Sequence, residues 1–117
     1  MFRRHIIQLG NTGVYVIYDE LEGKEAVTWS YLLHTVELPM EVAEEKDGLR
    51  ILGKNKADGV SIAHLFSSQK MTYAQTDTFF VAAVDWKKRL GKTLSNHYHF
   101  TATTASCSKI CFLNVNP

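Results

Sequence analysis

The sequence predicts an all-β fold, a mostly antiparallel β-sandwich of about eight or nine short strands. Three observations predict it. Runs rich in Val, Ile, Thr, Tyr and Phe recur along the chain. Turn residues part these runs about every ten residues, the spacing of sandwiches and barrels. One run, NHYHFTATT at residues 96–104, alternates strictly, as a half-buried strand does. At 117 residues the chain makes one domain with a single core, burying about two thirds of its unfolded surface.

The elements follow in order. HIIQLG at 5–10 is the first strand, and NTG after it is a turn signal with a glycine for positive φ. VYVIYDELE at 14–22 is the second. Its apolar run ends in Asp19 and Glu20 with no turn residue between, so Asp19 is expected at a strand end. A polar turn through EGKE then leads into AVTWSYLLHTV at 26–36, and two strands joined so briefly are expected to form an antiparallel hairpin. In the third strand Val27, Trp29, Tyr31 and Leu33 share one face, the expected core face, against Thr28, Ser30, Leu32 and His34. Pro39 breaks the pattern, because proline cannot donate in a central ladder. MEVAEEKDGLRILG is a second hairpin, turning at Asp47-Gly48. NKADG is a further turn, and VSIAHLFSS and KMTYAQTD follow as strands. FFVAAVDWKKRLGKTL at 79–94 has some helical spacing but no N-cap; it reads as a loop with about one helical turn. The strand at 96–104 and KICFLNV at 109–115 close the chain. It opens directly on a strand and ends on NVNP, and such blunt ends point to a fragment of a larger multidomain protein.

Composition excludes several classes. With 13 basic against 12 acidic residues the net charge is +1, so no electrostatic footprint indicates nucleic acid or an anionic membrane. No apolar run approaches the ~20 residues of a membrane span, and MFRRHIIQLG is too short for a signal peptide. The catalytic signatures of acyl transfer, phosphate binding and zinc hydrolysis are all missing. Glu44 and Glu45 read as a solvated run before a turn. No catalytic residue is assigned.

Cys107 and Cys111 lie four apart. On one extended strand their Cα atoms stand ~13 Å apart, beyond disulfide reach, so they read as two thiols unless a turn intervenes. His97 and His99 are two apart on one strand and share a face. Such a pair holds zinc if further ligands join it; otherwise it is simply exposed. Asp19 and His34 are a second pair to weigh. In a plain hairpin they lie roughly 20 Å or more apart, so they meet only if their strands belong to different sheets or the chain turns a corner. Otherwise Asp19 accepts backbone N–H bonds at its strand end. In WKKRLGK, Trp86, Lys87, Lys88 and Arg89 form a basic stretch with one aromatic. It suits an acidic glycan, through ion pairs and ring stacking, and equally a solvated loop.

FRRHIIQLGNTGVYVIYDELEGKEAVTWSYLLHT, residues 2–35, resembles the heparinase II/III-like polysaccharide lyases. The likeness lies in the basic pair Arg3-Arg4, the apolar Ile6-Ile7, the run from Tyr15 to Asp19, and Leu33-His34. HYHFTATTA and FLNVNP look like later strands of the same β domain; between 54 and 95 the likeness is loose. The resemblance implies a β-sandwich joined to a helical catalytic toroid, in a periplasmic or secreted enzyme. That enzyme cleaves uronic-acid-containing glycans such as glycosaminoglycans by β-elimination. A general base takes the C5 proton and a neutralised carboxylate stabilises the developing charge. It implies a structural zinc in the parent protein with Asp19 and His34 among its ligands. The family's other histidines precede the Arg-Arg strand, where this chain has only Met1-Phe2. Since closed zinc sites are four-coordinate, the expectation is an incomplete site without bound metal.

The expected role is therefore a non-catalytic scaffold. It packs against the helical domain, helps shape the glycan cleft, and is open to self-association through exposed sheet. The alternative is a stand-alone carbohydrate-binding module that uses Trp86 and Tyr98 as exposed ring platforms. A complete small enzyme is the third reading, and no acid–base pair at workable spacing supports it.

Overall fold

A computed structural model describes residues 1–78, 91 and 97–117. The described residues form nine strands: β1 (Phe2–Gln8), β2 (Tyr15–Val27), β3 (Ser30–Val36), β4 (Glu41–Glu45), β5 (Gly48–Lys54), β6 (Val60–Ser67), β7 (Met71–Thr76), β8 (His97–Thr104) and β9 (Cys107–Asn116). They make two sheets, one of six strands in the order β1-β2-β9-β6-β5-β4 and one of three in the order β3-β8-β7. Every pairing is antiparallel. The all-β sandwich is as the sequence predicts. The stretch 79–94 lies outside the described residues, apart from Gly91.

The main departure is at the hairpin expected between the second and third strands. β2 does not turn at EGKE but runs on to Val27, pairing with β1 and β9. β3 crosses to the other sheet and pairs with β8. The turn residues are absorbed instead as an irregularity: between Glu22 and Val27, β2 outruns β9, which advances only from Lys109 to Cys107, and bulges of this kind bend a strand. Trp29 fixes the corner that follows. Its indole Nε1 donates to the Cys107 carbonyl at 2.9 Å, its backbone N donates to Thr104 Oγ1 at 3.2 Å, and its carbonyl accepts from Thr104 N at 3.0 Å. A weak local turn signal is outweighed by the pairing with β9 on either side of it and by the Trp29 bonds.

The hairpin of β4 and β5 forms, one residue earlier than expected. Glu45 pairs with Gly48, so Lys46 and Asp47 make the turn. Gly48 serves close approach rather than turn geometry: a Cβ there would stand 2.4 Å from the Leu65 carbonyl oxygen. In the NKADG turn, Asn55 Oδ1 accepts from the N–H groups of Ala57 and Gly59 at 2.9 and 2.8 Å, the side-chain turn that Asn favours.

Alternation sets the core. β5 gives Leu49 and Ile51, β6 gives Ala63 and Leu65, and β9 gives Ile110 and Phe112 from the larger sheet. Tyr31 of β3 and Phe100 and Ala102 of β8 face them from the smaller one. Trp29 and Leu33 pack on the same cluster, as their parity in the third strand predicts; Val27, before the corner, is exposed. Among the described residues three strands face six, and the inner face is exposed at β1 and the start of β2. Phe2 and Ile6 share the inner parity of Asp19, which stands opposite buried Phe112, yet they are 61% and 65% exposed.

Candidate functional site

At this open end, Arg4 and Asp19 meet. Asp19 lies mid-strand in β2, not at a strand end, and its side chain is 3% exposed. It does not accept turn N–H groups. Arg4 Nε donates to Oδ1 and Nη2 to Oδ2, both at 2.7 Å. Backbone pairing explains the fit. Glu22 N donates to the Met1 carbonyl and Leu9 N to the Val14 carbonyl, so hydrogen-bonded pairs alternate along the hairpin and Arg4↔Asp19 falls between them. Opposed side chains are nearest in such non-hydrogen-bonded pairs. The bond to Asp19, followed by the Coulomb attraction of that carboxylate, outweighs desolvation and raises the Arg4 pKa above its ordinary value. Phe2 lies against the guanidinium, its ring centroid 5.5 Å from Arg4 Cζ.

Beside the pair is a cavity of about 340 Å³, lined by Phe2, Arg4, Asp19, Leu21, Ser30, Tyr31, Leu32 and Phe112. Its far wall is β3, the edge of the smaller sheet. The Thr104 N–Trp29 carbonyl bond sets the phase of the β3–β8 ladder. Tyr31, Leu33 and Thr35 turn their backbone groups toward β8, so those of Ser30, Leu32 and His34 point away from it, toward the cavity side. Inside, Asn114 Nδ2 donates to the Tyr31 hydroxyl at 2.9 Å.

The structure brings His34 not to Asp19 but to His99. These two are cross-strand partners in β3 and β8, with ring centroids 4.8 Å apart, edge to face. His97, two residues from His99, shares its outward parity. His34 and Asp19 do fall in different sheets, the case that would permit contact, but His34 faces outward on β3 while Asp19 faces the interior. Among the described residues no group of three His, Cys, Asp or Glu side chains is arranged to hold a metal ion. Both oxygens of Asp19 are already engaged by Arg4.

Tyr98 is also placed differently from the expectation. It shares the inner parity of Phe100 and Ala102 and packs, half-buried, against the core, so it offers no exposed ring platform. Trp86, Lys87, Lys88 and Arg89 lie outside the described residues. Cys107 and Cys111 are free, half-buried thiols on one strand. Cys111 Sγ accepts from the Tyr18 hydroxyl at 3.2 Å, which raises the Tyr18 pKa, with burial adding to the effect. Glu45 meets His64 Nδ1 at 3.2 Å. It lines, with Glu44, an open cavity of about 500 Å³ between the β4–β5 and β6–β7 turns.

Arg4 is the functional residue that residue spacing had not paired with Asp19. The signal was present: a turn centred on Asn11 and Thr12 sets Arg4 directly opposite Asp19. Chemically the arrangement is an ion pair with one open side. Arg4 spends its Nε–Nη2 edge on Asp19, and no described residue bonds its Nη1. Comparison with protein families finds no family model that matches the chain, and comparison with curated proteins finds none that matches.

Proposed function

We propose that this chain is the β-sandwich portion of a heparinase II/III-like polysaccharide lyase, non-catalytic by itself. It docks a helical catalytic domain and helps form the wall of a cleft for uronic-acid-containing glycans, in a periplasmic or secreted enzyme. The observation that carries the reading is the uncovered inner face at β1 and β2, where Phe2, Ile6 and Tyr15 are exposed beside the half-buried Arg4–Asp19 pair. Apolar side chains on the core-facing side of a sheet are ordinarily covered, and a contiguous open patch marks a contact surface. The alternative, a stand-alone carbohydrate-binding module, loses Tyr98 to the interior.

The test is a lyase assay on heparin-type and alginate-type polymers, read by the ultraviolet absorbance of the unsaturated uronate. The isolated chain is expected to be inactive and the full-length gene product active. Ile6→Glu, on the uncovered face, is expected to lower full-length activity while the sandwich keeps its far-ultraviolet spectrum. Turnover by the isolated chain, or none by the full-length protein on any uronate polymer, overturns the reading.

A further inference from the structure

We propose that the crossover at residues 36–40, between β3 and β4, is a strained strap latched by side chains, which opens as one unit while the rest of the sandwich stays folded. This goes beyond the lyase reading and does not need it. Three observations meet in this segment. First, Leu38 N donates to the Val36 carbonyl at 2.8 Å around Glu37, whose φ is 69°. A three-residue turn with positive φ at its centre is the rare and strained γ form. Among the described residues only Glu37 and Asp58 carry a side chain at positive φ, and Asp58 sits in the turn that Asn55 closes, where a short acid tolerates it. Second, side chains hold the strap, not a ladder. Thr35 Oγ1 donates to the Leu38 carbonyl at 2.8 Å. Gln75 of β7 accepts from Met40 N at 2.9 Å and donates to the Met40 carbonyl at 2.8 Å, so its amide stands in for a strand partner. Third, the strap closes on the core. Met40 is 4% exposed and belongs to the buried cluster.

The latch therefore joins the two sheets: β7 belongs to the smaller, and β4, which Met40 leads into, to the larger. Backbone strain persists only where its surroundings over-determine it. Here those surroundings are the bonds from Thr35 and Gln75 and the burial of Met40, which can be released together. Release lets Glu37 leave the left-handed region, so strain favours opening while Met40 burial favours closing. Opening lifts Met40 from the core and frees the start of β4 from β7, and the β4–β5 ladder stays intact.

The test is native-state hydrogen exchange on the whole chain, in urea below the unfolding transition. The Leu38 and Met40 amides bond within the strap and its latch rather than in a ladder, so strap opening exposes both. They are expected to share one protection factor, lower than that of Phe100 in the core, with weak urea dependence because little surface is uncovered. Two variants, each read at the end it does not touch, decide whether the strap moves as one. Gln75→Leu removes the bonds to Met40 and is expected to speed exchange at Leu38 about tenfold. Glu37→Gly relieves the turn, because glycine adopts positive φ without steric cost, and is expected to slow exchange at Met40 several-fold. The proposal is overturned if Leu38 and Met40 exchange only as Phe100 does, with the urea dependence of global unfolding. It is overturned equally if Gln75→Leu leaves Leu38 unchanged, or if Glu37→Gly leaves Met40 unchanged or speeds it. Should Gln75→Leu fail to fold, Glu37→Gly alone decides.

Discussion

Removing either member of the Arg4–Asp19 pair is expected to have unequal consequences. The side chain of Asp19 is 3% exposed and that of Arg4 is 45% exposed. Arg4→Met leaves a carboxylate buried with neither of its two 2.7 Å donors. Breaking a fully buried pair costs about 3–5 kcal/mol. Arg4 is half in water, which screens the pair and lets solvent reach the vacated space, so about 2–3 kcal/mol is expected. Asp19→Asn leaves a guanidinium that turns toward solvent and an amide that still accepts one hydrogen bond, so about 1 kcal/mol is expected. The double variant Arg4→Met/Asp19→Leu removes both charges and is expected to cost less than Arg4→Met alone. Urea unfolding with linear extrapolation measures all three, and the slopes must agree for the comparison to hold. Equal costs for the two single changes, or strictly additive costs in the double variant, would refute the reasoning that burial makes this carboxylate depend on Arg4.

Four further outcomes are expected. Gly48→Ala puts a Cβ 2.4 Å from the Leu65 carbonyl oxygen and should destabilise by roughly 1–3 kcal/mol through overpacking, measured by the same unfolding assay. Phe100→Ala empties a position with no solvent exposure at the centre of the core and should cost about 3–5 kcal/mol. Cys111→Ala removes the sulfur that accepts from Tyr18, so the Tyr18 pKa should fall back toward its ordinary ~10 in a phenolate titration. The raised pKa means that this bond stabilises the fold below that range, and its contribution is lost as pH rises through the folded-state value. Zinc titrated into the isolated chain by calorimetry should show no tight stoichiometric uptake, because Arg4 holds both oxygens of Asp19; one tightly bound ion per chain would contradict this.

The uncovered β1–β2 end also has a consequence for handling. Two edges, β1 and β3, border the same exposed inner face. Open edges with apolar neighbours pair with other chains. Concentrated samples should therefore associate, and Ile6→Glu should reduce this in light scattering.

Local patterning determined most of what lies within a strand. Strict alternation in NHYHFTATT marked a strand, and β8 is one; which face is inner came from the structure, which puts Phe100 and Ala102 in the core and Tyr98 on their side. The same parity buried Tyr31, and the turn residues after Gln8, Glu45 and Lys54 fell where strands end. The spacing of Cys107 and Cys111 predicted two thiols rather than a bridge, and both are free. Tertiary structure alone decided which strands pair. EGKE reads as a turn, yet β2 passes through it as an irregularity between the Glu22↔Lys109 and Val27↔Cys107 pairs, and Trp29 ties the corner to Thr104 and Cys107. A turn signal is a bias of about a kcal/mol per residue, and the β9 pairs before and after the segment, with the Trp29 bonds, outweigh it. That choice sent β3 to the other sheet, gave Asp19 to Arg4 and His34 to His99, and left β1 uncovered. Periodicity states which side of a strand faces inward. Only the pairing of distant strands states what stands opposite.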